Sequence, residues 1–197
     1  MMGEILKALE VHAPEINWSN HIHNTGRFWN MEGAIIYSLI RATNAKNILE
    51  LGTEYGQSTK FLGEAAVKND TRVTTIEVNP EHAVIAKQNL AYLPVDVVVM
   101  ECRDYRYLDS YDFILYDAAH HDFMVDWYKD NLLTRLHGWF ATHDIDTDNP
   151  SSEKERYKEL FKGKYVTTKD IMKATSYRPP HEDADSGFMW SCVYMKI

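Results

Sequence analysis

Asn47-Ile-Leu-Glu-Leu-Gly-Thr-Glu-Tyr-Gly-Gln-Ser-Thr59 is the stretch that decides the fold. Its apolar opening, closed by a glycine, predicts a short buried strand from Asn47 to Leu51. Gly52 and Gly56 let the chain turn sharply and pass close to a ligand, because neither carries a Cβ. A helix is predicted to open near Gln57, and the N–H groups of its first turn can face an anion. A strand, a glycine turn and a helix form the first unit of a nucleotide-type α/β fold. Glu50 is the odd residue. It places a carboxylate where the pyrophosphate of a dinucleotide would sit, which disfavours NAD and favours a ligand with a cationic end.

The same alternation continues on both sides. Upstream, Ile5, Leu6 and Leu9 mark a helix from Glu4 to Val11 that Pro14 ends. Residues 17–30 mix aromatic and polar side chains without periodicity and read as a loop, either a lid over a pocket or a cap packed by Trp18 and Trp29. Met31, Ala34, Ile35, Leu39 and Ile40 predict a helix over 31–43. Downstream, strands are predicted at 72–78, 95–102, 111–118, 138–144, 164–169 and 188–197. Helices are predicted at 57–67, 81–90, 123–136 and 153–161. The last two strands show no strong helix between them, which suggests a hairpin-like ending.

Strands that alternate with helices imply an α/β fold of the doubly wound, Rossmann-like kind, with a mostly parallel sheet. Such sheets bind ligands at the carboxyl ends of their strands. Glu50, Glu77, Asp104, Asp117, His143 and Asp144 all fall at those predicted ends. Glu77 follows Gly56 by about 20 residues, the spacing at which an acidic residue meets a ribose. Asp104, after the third strand, is placed to meet an adenine amino group.

The chain has 197 residues and reads as one domain, a helical cap or lid over 1–45 and an α/β core over 46–197. Its net charge of −8 argues against general nucleic-acid or membrane-surface affinity. Cys102 and Cys192 sit in apolar runs and are expected to be reduced core residues. Neither a membrane-length apolar run nor a signal-peptide pattern is present, so the expected location is cytoplasmic. The N-terminal helix could pair two chains into a homodimer.

These residues together resemble the class I S-adenosylmethionine (AdoMet)-dependent methyltransferases. Leu49-Glu-Leu-Gly-Thr-Glu-Tyr-Gly-Gln-Ser58 and Thr75-Ile-Glu-Val-Asn-Pro-Glu81 are similar to the catechol O-methyltransferase group. Leu115-Tyr-Asp-Ala-Ala-His120 and Thr142-His-Asp144 are closer to the macrocin-type enzymes that modify natural products. The resemblance covers about residues 30–162 and implies a seven-stranded sheet with an antiparallel last strand, with AdoMet as cofactor.

On that mapping, Glu50, Gly52, Thr53, Gly56 and Ser58 hold the methionine end of AdoMet. Glu77 holds the ribose, and Arg103 and Asp104 border the adenine. The resemblance also implies a divalent metal, Mg²⁺ or Mn²⁺, held by Asp117, His143 and Asp144, and His120 as general base. The relatives usually place an oxygen ligand where this chain has His143. Imidazole suits Zn²⁺, Fe²⁺, Mn²⁺ or Ni²⁺ better than Mg²⁺. Either the metal differs, or His143 points away and Asp146 or Asp148 completes the shell.

The expected activity is methyl transfer to a hydroxyl of a small molecule. The competing readings are a metal-independent N- or O-methyltransferase, a nicotinamide-dependent oxidoreductase and a non-catalytic AdoMet-binding module.

Overall fold

The structure is a computed structural model. It describes residues 1–21, 30–105, 111–118, 126–132, 134, 136–145, 162, 164–180 and 191–196. The side chains of residues 128, 132, 144, 145 and 191–193 are outside that description. His23, His120, His121, Asp122, Asp146, Asp148, the predicted helix at 153–161 and residues 181–190 also lie outside it.

A seven-stranded sheet runs in the order β3-β2-β1-β4-β5-β7-β6. Its strands are β1 (Asn47–Leu51), β2 (Arg72–Glu77), β3 (Val95–Val99), β4 (Tyr111–Tyr116), β5 (Leu136–Ile145), β6 (Val166–Thr167) and β7 (Ser191–Lys196). The first five pair in parallel, and β7 runs antiparallel to both β5 and β6. This is the mostly parallel doubly wound sheet expected from the sequence, with its reversed last strand. The chain leaves β1 for β2 on one side and later returns to β4 on the other, so the switch point lies between β1 and β4.

The helices are α1 (Met2–His12), α2 (Asn30–Thr43), α3 (Gln57–Asn69), α4 (Pro80–Asn89) and α5 (Thr168–Ala174). Asn79 caps α4 by accepting N–H bonds from Glu81 and His82, with Pro80 at the first helical position. One face of the sheet packs on the first three helices through Ile48, Phe113, Leu115, Trp139 and Ala141. Leu49, Leu51, Ile76, Ile114, Tyr116 and Phe140 line the other face. Gly33 lets α2 and α3 meet closely, since a Cβ there would stand 2.3 Å from the Phe61 ring.

Two expectations are corrected. First, the predicted strand at 164–169 is only two residues long, and α5 follows it before β7. The β-branched run Val166-Thr-Thr168 reads as strand, but Thr167 and Asp170 form a reciprocal capping box that starts a helix instead. Second, the end of the predicted 123–136 helix is partly a π-helical turn, Tyr128–Leu132. The apolar face of α1 is used inside the chain, with Ile5, Ala8 and Leu9 buried in the core beside α2.

Glu15 clamps the two helices by accepting from Arg41 Nε at 2.9 Å and from the Tyr37 hydroxyl at 3.2 Å. Burial pushes its carboxyl up, but Arg41 and His12 outweigh that and hold it at about 2. Cys102 is a buried free thiol, pushed up to about 12 by burial and by Glu101 beside it.

Candidate functional site

Strand parity gathers the site. Side chains alternate across a sheet, so residues two apart share a face. Counting on from the core residues Ile48, Val73, Phe113 with Leu115, and Trp139 with Ala141 leads to Glu50, Thr75 with Glu77, Asp117 and His143. All of these stand on one face at the carboxyl ends of four adjacent strands.

The β1–α3 turn is the first half of the site. Gly52 has φ +99° and Gly56 has φ +85°, both in the left-handed region where glycine is favoured. A Cβ on Gly52 would stand 2.1 Å from the Asp117 carbonyl oxygen. Only glycine therefore fits where β1 and β4 approach each other. The turn is pinned from several sides. The Asp117 N–H donates to the Leu51 carbonyl, and the Gly52 N–H donates to that of Ile76. The Asn89 side chain donates to the Tyr55 carbonyl. Helix α3 opens at Gly56 without a side-chain cap.

Glu77 ends β2 with both carboxylate oxygens facing backbone donors: Oε2 accepts from Glu54 N and Oε1 from Asn79 N, each at 2.8 Å. Its side chain thereby ties the glycine turn to the start of α4. Each oxygen has more than one lone pair, so the same carboxylate can accept further hydroxyl donors.

Glu50 differs from the expectation. It does not face a ligand from the turn but lies wholly buried beneath it, at 0% exposure. Ser58 donates to its Oε1 at 2.5 Å, and Thr59 and Thr75 donate to its Oε2 at 2.6 Å each. The single Thr75 hydroxyl proton is used on Glu50, so the Thr53 hydroxyl, 2.5 Å away, donates to Thr75. Thr53 and Ser58 thus act from below the turn, shaping it through Glu50. Burial pushes the Glu50 carboxyl up to about 7. The three hydroxyls oppose that shift, and the negative charge of Asp117 adds to it. Arg103 and Asp104 sit where expected, exposed just beyond β3, with Arg103 Nε 3.7 Å from Glu101 Oε1.

The second half of the site is at β4 and β5. Their register pairs Tyr116 with Thr142, which sets Asp117 beside His143 rather than Asp144. His143 Nδ1 is 3.2 Å from Asp117 Oδ1, and its Nε2 is 3.0 Å from Glu32 Oε2. Glu32, in the first turn of α2, and His143 are buried, at 0% and 2% exposure, while Asp117 is 22% exposed. The Thr168 hydroxyl, on α5, donates to Glu32 Oε1 at 3.2 Å. That leaves the Tyr194 hydroxyl to donate to Thr168, 3.3 Å away.

The expected metal set therefore fits poorly. A metal ligand needs a bare imidazole nitrogen, and both nitrogens of His143 stand at ion-pair distance from carboxylates. No group of three or more His, Cys, Asp or Glu side chains placed to hold a metal occurs among the described residues. Asp144 lies within β5, one residue short of its end, and its side chain is outside the description. Glu32, Thr59 and Thr75 were not singled out from sequence. The available signal was an acidic residue inside the apolar stripe Met31-Glu-Gly-Ala-Ile-Ile36, together with the strand parity described above.

Residues 49–145 match a family described as a methyltransferase domain. The chain carries a class I methyltransferase domain. Over 59 residues it is 42% identical to a catechol O-methyltransferase of Niastella koreensis, covering 30% of this chain and 26% of that protein. Over 102 residues it is 31% identical to a catechol O-methyltransferase of Danio rerio, covering 47% of this chain and 38% of that one. The chain thus spans about a quarter to two-fifths of the length of these curated relatives.

The domain also superimposes on an O-methyltransferase from Bacillus cereus in complex with SAH. The TM-score is 0.64 at 21% identity, over 97% of this chain and 91% of that one. A Streptomyces achromogenes O-methyltransferase of tomaymycin synthesis, in complex with SAM, gives a TM-score of 0.63 at 18% identity, over 98% and 89% of the two chains. At these identities the likeness establishes the Rossmann-like methyltransferase fold. Among the described residues, no helix is long and apolar enough to cross a membrane.

Proposed function

We propose that this methyltransferase domain transfers the methyl group of AdoMet to a hydroxyl of a small molecule. The observation that carries the reading is the β1–α3 turn, with Glu77 clasped to it at the switch point between β1 and β4. When bound there, AdoMet supplies a methyl group on a positively charged sulfonium. The left-handed glycines let the Gly52–Gly56 backbone lie against the methionine end. The uncapped first turn of α3 favours its carboxylate. The Glu77 carboxylate accepts from the ribose hydroxyls, and Arg103 and Asp104 border the adenine. Glu50, Ser58, Thr59, Thr53 and Thr75 support the turn from below.

Asp117 stands at the end of β4 beside the Gly52 turn, so an acceptor hydroxyl placed there lies close to the donor. Transfer requires that oxygen to approach in line with the S–CH₃ bond, which makes positioning a large part of catalysis. His120, three residues beyond Asp117, is our candidate to take the hydroxyl proton, the task of a neutral imidazole near pH 7.

Calorimetry with AdoMet, SAH and NAD tests the cofactor; the reading expects the first two to bind and fails if NAD alone does. Label transfer from [methyl-³H]AdoMet to a panel of phenols, catechols and sugar diols tests the acceptor. His120→Ala should abolish transfer while leaving AdoMet affinity within about twofold.

A further inference from the structure

Helix α4 packs on β2 and β3, and Ala83 and Ala86, with Leu90 at its end, are buried. Residues three and four apart share a helix face. Glu81, Val84, Ile85 and Gln88 therefore form the face turned away from the sheet, and all four are exposed. Val84 is 55% exposed and Ile85 42%. Val78, just before the helix, and Tyr92, just after it, are exposed as well. Among the described residues, four of the eight exposed large hydrophobic side chains thus fall within 78–92. Single apolar side chains are ordinary on a surface, whereas a gathered set marks a contact.

We propose that this stripe pairs with a second copy of the chain, the two α4 helices running antiparallel across a twofold axis between Val84 and Ile85. A twofold interface uses the same patch on both copies, so the patch must complement itself. This one does when it is reversed. Val84 faces Ile85 of the partner subunit, and Glu81 faces Gln88 of the partner subunit. Apolar side chains meet at the centre, and at each end an amide can donate to a carboxylate. The charges agree with that direction. Glu81 lies in the first turn of α4 and Lys87 in the last, so an antiparallel pair sets acid against base, whereas a parallel pair would set like charges together. Val78 and Tyr92 extend the contact, because reversal brings each toward the other end of the second helix.

The 10-residue helix is about 15 Å long, so the interface is small, near or below the roughly 1,200 Å² at which stable association begins. The dimer is accordingly reversible, with a dissociation constant in the micromolar range. Helix α4 lies on β2 and β3, at the opposite end of the sheet from β5, so pairing leaves the acceptor half of each copy open. The pairing is independent of the proposed function, and either can fail alone.

Sedimentation velocity of the full chain, from about 1 to about 500 μM, is the test. Wild type should pass reversibly from a monomer of 22.9 kDa to a dimer. Val84→Lys and Ile85→Glu each set a charge against an apolar side chain at the centre, and each alone should stay monomeric over that range. Both positions are exposed, so both variants should melt within a few degrees of wild type. Mixed in equal amounts, the two variants should form a heterodimer, because the axis sets the introduced ammonium against the introduced carboxylate. Hydrogen exchange needs no variant, and in wild type it should slow along α4 as concentration rises. A wild type still monomeric at the top of the range would overturn the proposal and leave the stripe to a partner of other chemistry. A dimer that survives either variant would overturn it too, by placing the contact elsewhere. A mixture that stays monomeric would overturn the antiparallel pairing.

Discussion

Glu50 and Glu32 are both carboxylates at 0% exposure, yet the fold accommodates them by opposite means. Glu50 is surrounded by three hydroxyls from α3 and β2, and its carboxyl is pushed up to about 7. Glu32 faces the His143 imidazole and the Thr168 hydroxyl. Hydroxyls rotate and can donate or accept, so their shell serves a carboxylate or a carboxylic acid. An ion pair serves only one charge state, and breaking it leaves a buried charge uncompensated. The half of the site assigned to the methyl donor is therefore built to tolerate a change of charge. The half assigned to the acceptor sets carboxyl groups against an imidazole instead.

The strongest way to break this comparison is at the joint between its halves. Gly52→Ala places a methyl group 2.1 Å from the Asp117 carbonyl in a backbone conformation of φ +99°. It should cost at least about 4 kcal/mol, the range of severe core disruptions, or prevent folding. Urea denaturation measures it. Next comes His143→Ala, which removes the imidazole 3.0 Å from the buried Glu32 carboxyl and should cost about 3–5 kcal/mol. Adding Glu32→Gln should recover part of that loss. A double-mutant cycle showing no coupling would remove the ion pair from the account.

The donor half makes a prediction about pH. Glu50 ionises near 7 in the folded protein, against 4.5 for the ordinary group. Below 4.5 both folded and unfolded chains hold the proton. Between 4.5 and 7 the unfolded chain gives it up first, so stability falls as pH rises, and the contribution is lost once pH passes 7. The fall should total roughly 3 kcal/mol at about 1.4 kcal/mol for each pH unit. Glu50→Gln, which cannot ionise, should flatten that part of the curve. Denaturation midpoints of both proteins at intervals from pH 4 to 8 provide the check.

How much of this was legible in the sequence differs between the halves. The donor half is local: Leu49 to Ser58 is one continuous stretch, and its glycines announce the turn directly. Even there, the sequence does not show which way Glu50 points. A polar residue near a strand end looks like a ligand contact until Ser58, Thr59 and Thr75 are seen to surround it. The acceptor half is assembled from distant segments. Glu32 reaches His143 only because α2 shares the core on this face of the sheet, which no short pattern encodes. The alternation of Phe113, Leu115 and Asp117, and of Trp139, Ala141 and His143, does put the last two on one face. It does not name a third partner. The missed helix α5 has another cause: β-branched Val166, Thr167 and Thr168 favour a strand, while the Thr167–Asp170 capping box outweighs them.

The smallest expected effect sharpens the comparison most. Thr75→Val and Thr168→Val each remove one hydroxyl donor from a buried carboxylate at nearly constant volume. On Glu50, the lost bond is one of three and is 2.6 Å long, and Thr53 loses its acceptor as well. That change should cost about 1–2 kcal/mol, the penalty of unmade buried hydrogen bonds, and should push the Glu50 carboxyl higher still. On Glu32, the lost bond is 3.2 Å long, the Tyr194 hydroxyl loses an acceptor 3.3 Å away, and the imidazole stays in place. There the cost should be below about 1 kcal/mol. If thermal denaturation finds the two variants equally destabilised, then Glu32 depends on its hydroxyl as Glu50 does. The distinction between a hydroxyl-held and a cation-held carboxylate would then be lost. If Thr168→Val is mild and His143→Ala severe, the charge on Glu32 is carried by the imidazole.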